Sequence, residues 1–350
     1  MNTKYIKIEQ NDPRNASTEI QQAGRILREG GLVAFPTETV YGLGANGLDA
    51  AAVGKIFQAK GRPADNPLIL HIADREALAS LVREVPTWLE PVLERFWPGP
   101  LTVVLPRADC VPDIVTAGLD SVAVRLPSSP VARELIRSAG VPVAAPSANL
   151  SGRPSPTTAT AVMADMAGRI EMVLDGGACE IGLESTVLDC TAAIPTILRP
   201  GGVTQEMLAA CLGQVQASGE GRMEAAEVPR APGMKYRHYA PAAPLRLFSC
   251  DAIDGETGLL QQLRAAQRSG QKVGAVVSPE TAAFLPAGVE VAIHGSRANP
   301  AAAATGLYQA LRWFDTHPVD VIFAEGVPEK GIGRALMNRL HKAAGSAGEE

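Results

Sequence analysis

Lys60 and Arg62 flank a single glycine in KGRPADNPLILH, the stretch from residue 60 to residue 71. Two cations so close in a turn repel each other unless an anion lies between them. Pro63 and Pro67 fix their own φ, which lowers the entropy lost when the turn is ordered. A phosphate or carboxylate suits such a pair, with Arg62 as a fork on two oxygens and Lys60 as a point charge. Asn66 adds an amide donor for the same anion. His71 ends an apolar strand, a place where a lone histidine is more often a satisfied core residue than a ligand.

Five more stretches carry chemistry-bearing side chains. FPTETVYGLG, 35 to 44, ends a strand and spills Thr37, Glu38, Thr39 and Tyr41 into a polar turn closed by Gly42 and Gly44. Groups beyond a strand's end commonly face the ligand crevice of an α/β fold. In SVAVRLPSSP, Arg125 interrupts a strand that is otherwise apolar on both faces. A buried cation needs either an internal carboxylate or an anionic ligand, and the sequence leaves both open. AAPSANLSGRPSPT, 144 to 157, surrounds Ser147, Asn149, Ser151 and Ser155 with prolines and small residues. It lacks the GxSxG of a nucleophile elbow and suits a cradle of backbone N–H and hydroxyl donors for phosphate or ribose. LESTVLD carries Ser185 into a strand, and ILRPG places Arg199 at a strand's end.

The elements that must position these groups alternate between helix and strand. Asp49 is placed to cap a helix whose Val53, Ile56 and Phe57 share one face. Strands are expected at 101–105, 122–126, 141–145, 170–174, 185–189 and 196–199, and helices near 75–83, 87–96, 130–139, 158–167 and 205–212. The last two strands look like neighbours across a short turn, so the sheet should be mixed. Residues 1–212 read as one domain. Residues 213–243 are poor in large aliphatics and rich in proline, which reads as a linker. Its PGMKYRHYAP run is nevertheless dense in charged and aromatic groups. From 244 to 350, four apolar strands alternate with helices, one of them begun by Asn299 and Pro300. That pattern gives a small, mostly parallel sheet of Rossmann-like type.

Composition narrows the function class. The chain has 350 residues, a net charge of −5, and 46% hydrophobic and 20% charged residues. That is an ordinary globular composition of two-domain length. The acidic balance, without a basic stripe, argues against gripping a nucleic-acid backbone. The five cysteines form no CxxC pair, which fits a reducing, cytoplasmic setting better than disulfides or zinc. No secretory signal or membrane span is visible. There is no GxxxxGK[ST] loop, and GIGRAL at 331–336 sits too late in the chain for a dinucleotide fingerprint.

Taken in order, FPTETVYGLGAN, KGRPADNPLILHI, VAVRLP, APSANLSGRPSPT, GLESTVLD and ILRPG resemble the YrdC-type catalytic domain of threonylcarbamoyl-AMP synthases. PGMKYRHYAP and the following small domain, ending GIGRALMNRLHKAA, resemble the long two-domain form of that family. The resemblance implies a YrdC-like mixed twisted sheet followed by a Rossmann-like domain. It implies a nucleotidyltransferase that makes L-threonylcarbamoyladenylate and pyrophosphate from L-threonine, bicarbonate or CO₂, and ATP. The product would pass to a downstream tRNA threonylcarbamoyl transferase, while the acidic balance argues against direct tRNA binding by this chain. Lys60 and Arg62 would be the catalytic cations. Thr39, His71, Arg125, Ala145 and Ser185 would hold threonine. Arg62, Asn66, Ser121, Ser147, Asn149, Ser155 and Arg199 would hold ATP. Mg²⁺ would ride on the ATP phosphates, with no protein side chain as ligand. Tyr236, Arg237, His238 and Tyr239 are expected to act as a lid that keeps water from the reactive adenylate. The alternatives are a carbamoyl transferase and an RNA-binding module using the same concave surface.

Overall fold

The alternation of strands and helices is realised in two units of a computed structural model, which describes residues 2–9, 17–218, 238–255 and 257–345. Among these, the first unit comprises residues up to 151, 156–180 and 184–218. The second comprises 152–155, 181–183 and the residues from 238 onward.

The first unit is built on one mixed sheet. Its strands are β1 (Lys4–Lys7), β2 (Val33–Phe35), β3 (Gly42–Asn46), β4 (Ile69–His71), β5 (Leu101–Pro106) and β6 (Ser121–Arg125). They continue as β7 (Val143–Ala144), β8 (Met172–Asp175), β9 (Thr186–Asp189), β10 (Thr196–Arg199) and β11 (Gln216–Ala217). The spatial order is β1-β8-β2-β3-β7-β4-β6-β5-β9-β10-β11. β4 runs parallel to β6, β6 antiparallel to β5, β5 parallel to β9, and β9 antiparallel to β10. The β9–β10 pair is the short-turn neighbour pair expected from the sequence.

Helices α1 (Ser17–Arg28), α2 (Ala50–Lys60), α3 (Glu90–Phe96), α4 (Asp113–Thr116), α5 (Pro130–Ala139), α6 (Ala159–Met166) and α7 (Gln205–Leu212) complete this unit. The Asp49 carboxylate caps α2 by accepting from the N–H groups of Ala51 and Ala52, and Gly61 ends it at φ 61°. Ile20, Ala23 and Leu27 of α1 bury against Val131, Leu135 and Ile136 of α5. Residues 75–80 wind as a 3₁₀-helix instead of the α-helix expected there.

Alternation along the central strands sorts the two faces of the sheet. Leu70, Val103, Leu105, Val122, Val124 and Leu188 point into the large core shared with α2 and α3. The opposite face carries a smaller apolar floor of Ile69, Val104, Ala123, Val187 and Leu198. The polar residues of interest rise from the same face as this floor.

The second unit holds β12 (Leu245–Phe248), β13 (Val273–Val277), β14 (Glu290–Ile293) and β15 (Val321–Glu325), in the order β12-β15-β13-β14 and all parallel. Its helices are α8 (Leu259–Arg268), α9 (Pro279–Ala282), α10 (Pro300–Trp313) and α11 (Ile332–Ala344). Asn299 caps α10, with Pro300 in its first turn. No helix among the described residues is long and apolar enough to cross a membrane.

Candidate active site

His71, Arg125 and Thr102 form one row across three strands. His71 pairs with Arg125 between β4 and β6, and Arg125 pairs with Thr102 between β6 and β5. Directly paired residues project from the same face, so all three stand on the side of the small apolar floor. The row continues through Val187 to Arg199, paired across β9 and β10.

Arg125 is 4% exposed, and its three nitrogens have protein partners. Nη1 donates to Thr39 Oγ1 at 2.8 Å and Nε to the Gly99 carbonyl at 3.3 Å. Nη2 lies 2.7 Å from Glu38 Oε1, a close ion pair without hydrogen-bond alignment. The sequence left open whether an internal carboxylate or a ligand compensates this cation. The internal carboxylate exists, and it is Glu38.

His71 is buried 6.3 Å from the Phe35 ring in an edge-on arrangement. Burial, and then the neighbouring Arg125 charge, push its pKa down to about 3, so the ring is neutral at pH 7. Nδ1 lies 3.2 Å from the Ile69 carbonyl; a carbonyl only accepts, so Nδ1 carries the hydrogen. Ser185 belongs to a second cluster. Its hydroxyl meets Thr102 Oγ1 at 2.7 Å and accepts from Arg199 Nη2 at 3.2 Å, while Arg199 Nε donates to the Ser185 carbonyl. Gly201 makes this possible: a Cβ there would stand 2.3 Å from the Thr186 nitrogen and 2.5 Å from the Glu184 oxygen.

The two cations of the 60–62 turn diverge. Lys60 is buried, and its ammonium donates to the carbonyls of Ser147 at 2.5 Å and Asn149 at 2.7 Å. These contacts fasten the end of α2 to the SxN loop, which is also held by Ala148 N–H on the Tyr41 carbonyl and Leu43 N–H on the Pro146 carbonyl. Through these described contacts Lys60 shapes the loop. Arg62 is half-buried, donates to the Asn66 carbonyl at 2.9 Å and lies over the Phe57 ring. Asn66 is fully buried, yet neither its side-chain oxygen nor its nitrogen has a hydrogen-bond partner among the described residues. An unsatisfied buried amide costs about 1–3 kcal/mol, which a ligand with a donor and an acceptor would recover.

The remaining expected residues are spread more widely. Ala145 is buried at the end of β7, its N–H given to the Ile69 carbonyl at 3.0 Å. Ser121 starts β6 and shares a face with Arg125, but four residues of strand put them about 13 Å apart. Ser155 is buried and belongs to the second unit. So does Tyr239, which sits at φ 64° and is 5% exposed. Its ring packs 5.3 Å from that of Tyr308, with the Arg339 guanidinium 5.9 Å away. That packing seats the Tyr239 ring within the second unit. Its neighbour His238 lies beside it, ring centroids 5.7 Å apart. Tyr236 and Arg237 lie outside the described residues.

The roles of two residues escaped the sequence reading. Glu38 was visible within PTET, but nothing local marked it as the partner of a cation 87 positions later. Thr102 carried the same signal as Arg125, a polar residue in an apolar strand, in weaker form. No group of three or more His, Cys, Asp or Glu residues suited to a metal occurs among the described residues.

The comparisons with known proteins agree with this anatomy. A family model described as "Telomere recombination" matches residues 25–201, and one described as "Threonylcarbamoyl-AMP synthase, C-terminal domain" matches residues 203–345. A threonylcarbamoyl-AMP synthase of Bacillus subtilis is 49% identical over 97% of this chain and 95% of its own. One of Pyrococcus abyssi is 48% identical over 93% and 94%. The crystal structure of Pyrococcus abyssi Sua5 complexed with L-threonine superposes with a TM-score of 0.89 at 45% identity, covering 98% of both chains. The two-part match over nearly the full length, on a mixed sheet followed by a small parallel one, means that this chain belongs to the threonylcarbamoyl-AMP synthase family.

Proposed function

We propose that this chain is an L-threonylcarbamoyladenylate synthase, joining L-threonine, bicarbonate or CO₂, and ATP into threonylcarbamoyl-AMP and pyrophosphate for tRNA modification. The observation that carries the reading is the row of His71, Arg125 and Thr102 over an apolar floor, in a chain 45% identical to a protein described in complex with L-threonine. Thr39, His71, Arg125, the Ala145 backbone and Ser185 take the amino acid. The Arg125 guanidinium faces its carboxylate. Neutral His71 keeps one ring nitrogen as an acceptor for the substrate hydroxyl.

ATP falls to Arg62, Asn66, Ser121, Ser147, Asn149, Ser155 and Arg199. The buried, unpartnered Asn66 amide supports this most directly. Mg²⁺ would be carried by the nucleotide's phosphates. It would supply charge neutralisation on those oxygens.

The chemistry needs position more than reactive side chains. The threonine amine captures CO₂ as a carbamate, and a carbamate oxygen attacks the α-phosphorus in line with departing pyrophosphate. The protein's part is to align the two anions and to stabilise charge on the phosphoryl oxygens. Arg62 would supply a guanidinium for that. Lys60 acts through the loop it holds. No covalent enzyme intermediate is required.

Incubation with ¹³C-bicarbonate, L-threonine and ATP tests the proposal. Mass spectrometry should find one ¹³C in a threonylcarbamoyl-AMP species. In a parallel incubation with ¹³C-carbamoyl phosphate and ATP, a labelled carbamoyl adenylate formed without threonine would assign the site to the carbamoyl transferase class instead.

A further inference from the structure

Glu38 has no task in the mechanism above, although it is as buried as the residues that do. Its side chain is 5% exposed. Burying a carboxylate is costly unless both oxygens are compensated. Arg125 Nη2 serves Oε1 at 2.7 Å. Oε2 has no hydrogen-bond donor among the described residues.

The loop donors that the structure pairs are directed elsewhere. Thr37 gives its only hydroxyl proton to the Val40 carbonyl at 2.6 Å. In the 2.8 Å contact between Thr37 and Thr39, Thr39 must therefore be the donor. Thr39 in turn accepts from Arg125 Nη1. The N–H groups of Thr39 and Val40 both turn to Thr37 Oγ1, each at 3.2 Å. The chain of donors thus runs Arg125 to Thr39 to Thr37 to Val40, and bypasses Glu38. Burial first, and then the Glu38 charge, hold the Cys179 thiol protonated and well above its ordinary pKa, so no second anion competes there.

A buried Arg–carboxylate pair with one carboxylate oxygen in need of a donor complements an α-amino acid. The zwitterion carries its own opposite charges about one ion-pair length apart, so it can lie antiparallel to the protein pair. We propose that Glu38 is the ammonium-recognising residue of the amino-acid subsite, its Oε2 accepting from the α-amino group while Arg125 faces the α-carboxylate. Glu38 then selects amino acids over hydroxy acids of the same shape, and fixes the nitrogen that becomes the carbamate. This inference rests on the reading of this sheet face as the threonine site.

The test compares L-threonine with (R)-3-hydroxybutanoate, which keeps the carboxylate and hydroxyl but lacks the amine. Calorimetric titration of the full-length protein should show wild type favouring threonine by about 100-fold or more. Glu38→Gln should weaken threonine by about 10- to 100-fold and leave the hydroxy acid within about threefold. ATP affinity should not change. Equal losses for both ligands would show that Glu38 acts only by orienting Arg125, and would overturn the proposal. So would unchanged threonine binding. Glu38→Asp, which keeps the charge against Arg125, provides the same comparison if the glutamine variant does not fold: threonine alone should weaken. Failure of wild type to bind threonine at all would refute the amino-acid site itself, and this proposal with it.

Discussion

Arg125, His71 and Asn66 each violate a simple rule about what belongs in a protein interior, and each does so for a different reason. Arg125 is tolerated because Glu38, Thr39 and Gly99 engage all three of its nitrogens. His71 is tolerated because it is neutral. Folded, its pKa is about 3, against an ordinary value of 6.5. The unfolded state therefore binds a proton over that window that the folded state refuses. The stability His71 permits is complete above pH 6.5 and declines as pH falls toward 3, at about 1.4 kcal/mol per pH unit. Urea midpoints at pH 7, 5.5 and 4.5 should show this slope, and His71→Asn should flatten it; a parallel fall in the variant would assign the acid sensitivity elsewhere. Asn66 is tolerated only at a cost, so Asn66→Ala should leave the ligand-free melting temperature unchanged or raised. The same variant should weaken ATP by about 10-fold or more, measured by calorimetry. Arg125 and His71 were legible in the sequence, since a polar group in an apolar strand is conspicuous. Glu38 was not, because its meaning depends on a partner brought by β6.

The elements explain which signals were readable. β4, β5, β6, β9 and β10 are apolar runs bounded by turn residues, and the sequence located each to within a residue or two. β3 was read as a turn because Gly42 and Gly44 look like punctuation. In the structure they pair with Phe35 and Val33 of β2. A Cβ on Gly44 would come within 2.9 Å of both the Phe35 ring and Val143. The glycines therefore mark close packing, a tertiary fact with no local signature. The turn at 60–62 illustrates the converse. Its charge pair stands out in the sequence, but the carbonyls that Lys60 meets lie 87 and 89 positions away. Lys60→Met should release the SxN loop, raising proteolytic cleavage near residues 147–152 and lowering ATP affinity together. Faster cleavage with unchanged affinity would separate the loop from nucleotide binding. Gly201→Ala forces backbone atoms apart behind Ser185, and should lower stability by about 2 kcal/mol or more with loss of threonine binding. A variant melting like wild type would mean the 184–186 segment can shift at no cost.

At the scale of the whole molecule, two units with separate cores divide the work. The first carries the row of polar groups on its sheet; the second is a four-stranded parallel sheet whose core is built on Leu259, Leu263, Val273 and Phe323. The family-level reading was available from ordered motifs spanning almost the whole chain. The aromatic density of PGMKYRHYAP signals packing as readily as the motion of a lid, so the sequence alone does not separate the two. Tyr239 has packed against Tyr308 and Arg339 within the second unit. The central claim is that amino acid and nucleotide are brought together here for a displacement at the α-phosphorus. Pyrophosphate release from ATP, followed with each substrate omitted in turn, tests it most directly. Release should require threonine and bicarbonate together, and should fall by about 100-fold or more when Lys60 and Arg62 are both neutralised. Undiminished release by that double variant, or release without threonine, would contradict the account.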